Sequence, residues 1–241
     1  MNIKVLIYKL LGKGHLVDPK AYIKYLRSKG VQVGDNLILS GTGGGRTWPK
    51  IDVTRPSLVT IGDNVFLNRG FTLLTHDYVT KVFKEKYHEF LPSSGAVKIG
   101  NNVSFGYDCM VLKGVTIGDN CFIAAGSVVT KDIPANSLAA GRPAKVVCTI
   151  DEYYERRKTE CIPEALAYAR SIKERYNRDP RPEDFWEEFP LFVDAENIDQ
   201  YPMIPIKRQM GTHYDEWLKN HKRTFNDFDE FITKAFEKPD N

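Results

Sequence analysis

The most regular feature of the chain is an apolar residue at every sixth position between residues 61 and 129, with one interruption. The residue that follows is often Gly or Ala, as at Gly62, Gly100 and Ala124. Neither an amphipathic helix nor an alternating strand produces a period of six. The apolar positions are Ile61, Leu67, Leu73, Ile99, Phe105, Val111, Ile117, Ile123 and Val129.

A period of six predicts short strands joined by tight corners, with three hexads completing one triangular coil. Successive coils then stack at the parallel-strand spacing of roughly 4.8 Å. The apolar residue points inward, and the small or β-branched fifth residue of each hexad packs beside it at the corner. Cys109 and Cys121 occupy this fifth position. We therefore interpret both cysteines as packing residues and not as metal ligands.

The N-terminal flank predicts a helical cap over the open end of the coils. Residues 1–30 carry spaced apolar residues that favour one or two helices, and Gly30 is a suitable residue to end the second one. A stacked coil leaves unpaired backbone at its end, so a cap has a physical purpose. The first coil is irregular, and the Gly-rich stretch within Gly41–Pro56 predicts a loop.

The C-terminal flank predicts a helical extension, and no hexad follows Cys148. Residues 151–176 fit a helix with alternating charge, and further helical stretches are expected near His213–His221 and Phe225–Phe236. Many aromatic residues follow position 150, so this part is expected to pack. The predicted organisation is a cap at 1–30, a coil domain at 31–148 with a loop excursion at 77–96, and an extension at 149–241.

The net charge of +3 hides an asymmetry. Residues 1–150 hold 19 Lys and Arg against 10 Asp and Glu, a charge of +9, whereas the remainder carries −6. A basic surface suits anionic ligands, but no basic tract or stacking motif supports nucleic-acid binding. No apolar run approaches the ~20 residues of a membrane span, Met1–Leu11 is a poor secretory signal, and the four cysteines form no CxxC pair. These features predict a cytoplasmic protein.

Three stretches carry a resemblance to a known family: "IGDNVFLNRGFTLLTH" (61–76), "IGNNVSFGYDCMVLKGVTIGDNCFIAAGSVVTKDIP" (99–134) and "AAGRPAKVV" (139–147). The chain resembles the hexapeptide-repeat acyltransferases over about residues 31–148, including the maltose, galactoside and capsular-polysaccharide types of O-acetyltransferase. This resemblance implies a mainly β fold, a left-handed parallel β-helix with the helical cap and the helical extension described above. It also implies acetyl-CoA as co-substrate and a homotrimer.

The interruption of the repeat contains the candidate catalytic residue. An excursion of about twenty residues from a regular repeat needs a functional reason, and it begins directly after His76. In the resembled family such a loop carries the catalytic histidine. A hydroxyl attacking a thioester needs a base near neutral pH, so His76 is predicted to be the general base. Asp77, a backbone carbonyl or another carboxylate could orient it.

The resemblance also implies the residues that bind CoA. Small residues would lie along pantetheine, polar and basic residues would lie near the phosphates, and one position would supply a further polar contact. Two positions depart from the pattern of many relatives, since Ser104 replaces Trp and Cys148 replaces a basic residue. The implied CoA-binding residues are Tyr107, Ala124, Ala125, Thr130, Lys131, Arg142 and Lys145.

The leading functional hypothesis is therefore an acetyl-CoA-dependent O-acetyltransferase acting on a sugar or saccharide hydroxyl, without a metal. N-acetylation of an amino sugar or nucleotide-amino sugar is an alternative, since an amine needs less activation. A noncatalytic β-helical scaffold is an alternative of another class. A β-helical carbonic anhydrase would need three histidines on the coils, and only His76 and His88 lie near them.

Overall fold

The structure is a computed structural model that describes residues 17–40 and 48–237. It begins with a helix, α1 (Pro19–Lys29), whose first turn is capped by the Asp18 carboxylate. Gly30 ends the helix in the left-handed conformation, at φ 101°, which costs glycine nothing because it has no Cβ. The second predicted cap helix is confirmed, and the first falls outside the described residues.

After α1 the chain passes in turn through three sheets. The first nine strands each pair with the strand three further along, whereas the eleventh pairs with the thirteenth. Every pairing within these sheets is parallel except the last, β13 with β14. Sheet 1 has the order β1-β4-β7-β10, sheet 2 the order β14-β13-β11-β8-β5-β2, and sheet 3 the order β12-β9-β6-β3. The strands are β1 (Gln32–Val33), β2 (Ile38–Leu39), β3 (Lys50–Ile51), β4 (Val59–Ile61), β5 (Phe66–Leu67), β6 (Thr72–Leu73), β7 (Val97–Ile99), β8 (Val103–Phe105), β9 (Met110–Val111), β10 (Thr116–Ile117), β11 (Cys121–Ile123), β12 (Val128–Val129), β13 (Ser137–Gly141) and β14 (Ala144–Thr149).

The core between the sheets confirms the period of six. All nine hexad residues are no more than 2% exposed. The fifth positions are also buried, including Cys109 and Cys121, so the packing role of both cysteines is confirmed. Phe71 and Phe105 meet edge to face inside the coils, with 4.7 Å between ring centroids.

The corner between sheets 1 and 2 is built from repeated asparagines, and we call it the Asn corner. Five coils place an Asn there in the left-handed conformation, with φ between 53° and 58°. Asparagine tolerates this conformation better than most residues. The preceding glycines permit close stacking, because a Cβ on Gly62 would lie 2.7 Å from the carbonyl carbon of Gly100. The five residues are Asn36, Asn64, Asn102, Asn120 and Asn136.

Two sequence expectations need correction near the interruptions. The predicted loop Gly41–Pro56 contains strand β3, because Ile51 continues the buried column and pairs with Leu73. Residues 41–47 of that loop lie outside the described residues. The excursion at 77–96 was expected to be a loop, but it contains a helix, α2 (Thr80–Tyr87). The hexad pattern predicts neither β3 nor α2, because both lie at interruptions of the repeat.

The chain divides into two compact units between Tyr154 and Glu155. The second unit contains most of helix α3 (Ile150–Tyr176) and the shorter helices α4 (Ile206–Met210), α5 (Tyr214–Asn220) and α6 (Phe228–Phe236). The helix expected at Phe225–Phe236 begins three residues later, because the Asp227 carboxylate accepts a hydrogen bond from Glu230 N–H and caps it there.

The second unit has an aromatic core, as the sequence predicts. Phe185, Phe192 and Phe231 are fully buried and contact one another at 5.1–6.5 Å between ring centroids. Not every aromatic residue of this unit is in the core, since Trp186 is exposed. Among the described helices, none is long and apolar enough to cross a membrane.

Candidate active site

The corner between sheets 3 and 1 is where the repeat is interrupted, and we call it the His corner. The excursion leaves it at His76 and returns at Ser94, and these two residues form an antiparallel bridge. Gly95 N–H donates to the carbonyl of Thr75 over 2.9 Å. The excursion is therefore closed at its base, and His76 lies on the regular coil and not at a loop tip.

His76 contacts a buried carboxylate from the preceding coil. Its Nδ1 lies 2.7 Å from Oδ2 of Asp52, and the two side chains are 14% and 6% exposed. Asp52 follows β3 directly, as Leu74 follows β6, and its backbone N–H continues the ladder by donating to Leu73. The stacking of coils therefore joins two residues that are 24 positions apart in the chain.

Two threonines complete the surroundings of the carboxylate. Thr75 donates to Oδ2 through its backbone N–H at 3.1 Å and its hydroxyl at 2.5 Å. Thr54 donates to Oδ1 through its backbone N–H at 2.9 Å and its hydroxyl at 2.7 Å. Burial raises the pKa of Asp52, but these four hydrogen bonds outweigh burial and hold the pKa well below the ordinary value. Asp52 is therefore an anion at neutral pH.

This arrangement fixes the useful tautomer of His76. A carboxylate only accepts hydrogen bonds, so Nδ1 of the ring carries the proton that points to Asp52. Nε2 is then the nitrogen with a free lone pair, able to accept a proton from a substrate. Asp52 also stabilises the imidazolium that forms after proton transfer. The pair has the geometry of an oriented general base.

Asp77 is therefore not the residue that orients the His76 ring. The Asp77 carboxylate lies 2.8 Å from Nζ of Lys113 and accepts from the Ser93 hydroxyl and the Val79 N–H. These contacts, led by Lys113, lower the pKa of Asp77 to about 2. Asp77 thus holds the excursion to the neighbouring coil instead of contacting the His76 ring.

A cleft of about 370 Å³ opens beside His76. Its floor is the outer side of β3 and β6, and its rim includes Tyr78 at the start of the excursion. The Tyr78 ring is 69% exposed and meets the His76 ring edge to face at 5.2 Å between centroids. The cleft thus has space for a small polar group next to the base, with an aromatic surface at its mouth.

The predicted CoA-binding residues fall into two groups, and the first lies at the corner between sheets 2 and 3. Gly126 N–H donates to the carbonyl of Tyr107 over 2.7 Å, and the Arg142 side chain donates to the carbonyl of Gly126. Ala124 and Ala125 belong to the same corner, immediately before Gly126. Ala125 and Tyr107 are exposed. Small exposed residues along a corner leave the backbone accessible, which suits a narrow chain such as pantetheine.

The second group lies elsewhere on the coils. Thr130 follows β12 in the same way that Leu112 follows β9 and Leu74 follows β6. Thr130 and Lys131 therefore lie at the same edge of sheet 3 as Leu74, two strands further from His76. Lys145 lies on β14, opposite Ala140. Lys131 and Lys145 are exposed and take part in no ion pair within the described residues, which fits an anionic phosphate ligand. Across 17–40 and 48–237, no group of three or more His, Cys, Asp or Glu is placed to hold a metal ion.

Sequence reasoning missed Asp52, Thr54 and Thr75. Ile51 is a member of the buried column, but it precedes its partner Leu73 by 22 residues instead of 18, so the hexad count does not reach it. One feature of the sequence could have identified Asp52. It directly follows Ile51, an apolar residue at the end of a short strand, just as Leu74 follows Leu73. Recognising it requires the register of the irregular first coil.

The chain is similar to several known proteins. Residues 96–131 match the family described as bacterial transferase hexapeptide (six repeats). Galactoside O-acetyltransferase of Escherichia coli is 33% identical over 64% of this chain and 72% of that protein, and protein CapG of Staphylococcus aureus is 36% identical over 63% and 81%. A solved galactoside acetyltransferase in complex with coenzyme A is 30% identical, with a TM-score of 0.44 over 64% of this chain and 83% of that chain. The chain therefore belongs to the hexapeptide-repeat acetyltransferase family.

Proposed function

We propose that the protein is an acetyl-CoA-dependent O-acetyltransferase that acylates a hydroxyl of a sugar or saccharide, with His76 as general base and Asp52 as its orienting residue. The observation that carries this proposal is the 2.7 Å contact between Nδ1 of His76 and the buried Asp52 carboxylate. The galactoside O-acetyltransferase of Escherichia coli supports the substrate class by its name. We also infer that the coils wind left-handed, as in the family.

The residues of the site supply the proton chemistry of the reaction. Acetyl-CoA provides the activated acetyl group as a thioester. Nε2 of His76 takes the proton of the acceptor hydroxyl as its oxygen forms the new ester bond, and the carbon–sulfur bond breaks. Asp52 stabilises the positive charge on the ring during this step. The ring then returns the proton to the departing thiolate, so direct transfer needs no nucleophilic Ser or Cys.

Binding of CoA by Tyr107, Ala124 and Ala125 and by the cations Lys131 and Lys145 is part of the same proposal. Arg142 contributes less directly, because its side chain already donates to the carbonyl of Gly126. Thr130 would supply a hydroxyl beside Lys131. The support for this assignment is the combination of an exposed corner of small residues with exposed, unpaired lysines. Its test is the KM for acetyl-CoA, which should rise in Lys131→Gln and Lys145→Gln while kcat changes little.

We also infer that the active form is a homotrimer, as in the resembled family. The excursion supports an assembly, because it exposes several large apolar side chains that a monomer would leave in water. Light scattering should therefore give three times the 27.5 kDa mass of one chain. A fully active monomer would contradict this inference. The exposed side chains are Val82, Tyr87, Phe90 and Leu91.

The central test follows thiol release from acetyl-CoA with a panel of sugars, nucleotide sugars and amino sugars. In His76→Asn, kcat for a hydroxyl acceptor should fall about 10²- to 10⁴-fold, the range for loss of a general base. The matched control is His88→Asn, which makes the same change at a histidine within the excursion and should retain activity.

The outcomes distinguish the competing functions. Thiol release only with amino sugars would favour N-acetylation. Release that persists undiminished in His76→Asn would overturn the catalytic assignment, and the absence of both acetyl-CoA binding and thiol release would favour a scaffold.

A further inference from the structure

The charged groups that line the cleft beside His76 are unequally compensated. Asp52 is buried and receives hydrogen bonds from Thr54, Thr75 and His76. Asp77 is paired with Lys113. Both acidic groups of the cleft are therefore occupied by contacts within the protein and present little charge to a ligand.

Lys50 also lines this cleft, and its charge is not compensated in this way. Lys50 is exposed, and its ammonium makes no ion pair or hydrogen bond with the rest of the described chain. Its position is nevertheless fixed, because its backbone N–H donates to the carbonyl of Phe71 over 2.8 Å within sheet 3. The cleft thus contains a cation on a rigid strand, and this cation pairs with no carboxylate in the part of the chain that the structure describes.

The position of Lys50 relative to the base is set by strand geometry. Lys50, Ile51 and Asp52 continue one ladder along the edge of the coil. Ile51 points into the core, so Lys50 and Asp52 both point outward, with Cα atoms about 7 Å apart. Asp52 holds His76. The cation and the base therefore flank one stretch of the cleft floor.

The mouth of the cleft adds an aromatic surface and a second cation. The Tyr78 ring, largely exposed, stands beside His76. Nζ of Lys81 lies 5.5 Å from the centroid of that ring. An exposed tyrosine offers a flat apolar face and a hydroxyl, which suits packing against a sugar ring. Together with Lys50, these groups favour a saccharide that carries negative charge over a neutral one.

We propose that the acceptor is an anionic saccharide, whose carboxylate or phosphate pairs with Lys50 while a hydroxyl of the same or the adjacent sugar unit reaches Nε2 of His76. This inference rests on the proposed function and narrows its substrate class. Lys50 is then a specificity-determining residue that selects the acceptor and takes no part in proton transfer. Lys131 and Lys145, which are assigned to CoA, lie at the far end of the coils from β3 in strand order.

The test compares galactose with galacturonic acid and galactose 6-phosphate, which separate a carboxylate from a phosphate on the same ring. Thiol release from acetyl-CoA should give a kcat/KM roughly tenfold or more higher for at least one charged acceptor, as a charge-assisted contact provides. Lys50→Gln should remove that preference, lowering kcat/KM for the charged acceptor to the level seen with galactose, and should leave the KM for acetyl-CoA unchanged. Lys98→Gln, an exposed lysine on β7, is the matched control and should behave as wild type.

Binding of the same three sugars, measured by calorimetry, keeps the inference separate from the proposed function. A charged sugar that binds more tightly than galactose, with the difference lost in Lys50→Gln, supports the inference even without turnover. The inference is overturned if all three sugars bind equally or not at all and give equal rates. Thiol release from acetyl-CoA separately tests the proposed acetyl transfer. A rise in the KM for acetyl-CoA in Lys50→Gln would assign Lys50 to CoA and also overturn it.

Discussion

The Asn corner and the His corner belong to the same coils but are built in opposite ways. At the Asn corner each coil repeats the same solution, a left-handed Asn whose side chain bonds to the Asn of a neighbouring coil. Asn102 donates to Asn120 at 2.8 Å, and Asn120 donates to Asn136 at 3.0 Å. At the His corner the coils differ, because residues are inserted after Ile51 and after Thr75.

The difference shows where a repeat can place chemistry. At a repeated corner the polar side chains form hydrogen bonds with identical residues of neighbouring coils, so these side chains serve only to hold the coils together. An interrupted corner brings together residues that have no equivalents in other coils, such as Asp52 from one coil and His76 from the next. The regular corners keep these coils in register, so that the base and its carboxylate are held by rigid strands.

The largest effect that separates the two corners should come from Asp52→Asn. The amide keeps the shape of the carboxylate but not its charge, so it no longer fixes the tautomer or stabilises the imidazolium of His76. We expect kcat for thiol release to fall about a hundredfold, with the KM for acetyl-CoA and the melting temperature little changed.

The matched control makes the same substitution at the Asn corner. Asp63 accepts a hydrogen bond from Asp35 N–H through Oδ1 at 2.7 Å, and an amide oxygen can accept it equally well. Asp63→Asn should therefore retain full activity. Equal losses in the two variants would show that Asp52 acts only through the fold.

The sequence predicts the repeated parts of the molecule residue by residue, because each hexad position has the same environment in every coil. The burial of all nine column residues follows from spacing alone. The chemistry of the His corner does not follow in this way. His76 is found from a resemblance, and Asp52 escapes because the first coil has a different length from the others.

The second unit also contains structural details that the sequence does not predict. Its aromatic composition predicts a packed core, but no period states which rings are inside. Phe185 is fully buried whereas its neighbour Trp186 is 48% exposed. The start of α6 is likewise decided by a local cap at Asp227, which overrides the longer apolar pattern. Aperiodic packing depends on contacts between distant segments, and spacing carries no information about them.

An intermediate effect, on stability and not on activity, should follow from Asn120→Ala at the Asn corner. The substitution removes two hydrogen bonds between coils and places alanine at φ 56°, where a Cβ is strained. We expect a loss of about 1–2 kcal/mol in the free energy of unfolding, measured with urea. The kcat per folded molecule should not change.

Asn120→Gly separates the two causes of this loss. Glycine adopts the left-handed conformation without strain but also lacks the side-chain hydrogen bonds. If glycine restores most of the stability, the backbone conformation dominates, and if it restores none, the hydrogen bonds do. A tenfold fall in kcat with Asn120→Ala would contradict the division of labour between the two corners.

The smallest effect should come from Lys113→Met, which removes the cation that pairs with Asp77 at the base of the excursion. Because the pKa of Asp77 is lowered from 3.8 to about 2 in the folded protein, the ion pair stabilises the fold fully above about pH 4, and its contribution disappears as the pH falls through 2. The melting temperature of wild type should therefore exceed that of Lys113→Met by a small, constant amount above pH 5, and the two should converge near pH 2.

High salt should reduce the difference between the two melting temperatures, since the ion pair is partly exposed. Lys98→Met, which removes a lysine that forms no ion pair among the described residues, should show no such convergence. If the two melting temperatures stay equally far apart down to pH 2, Lys113 acts by packing its alkyl chain and not by its charge, and the excursion is held at the His corner by its backbone bonds alone.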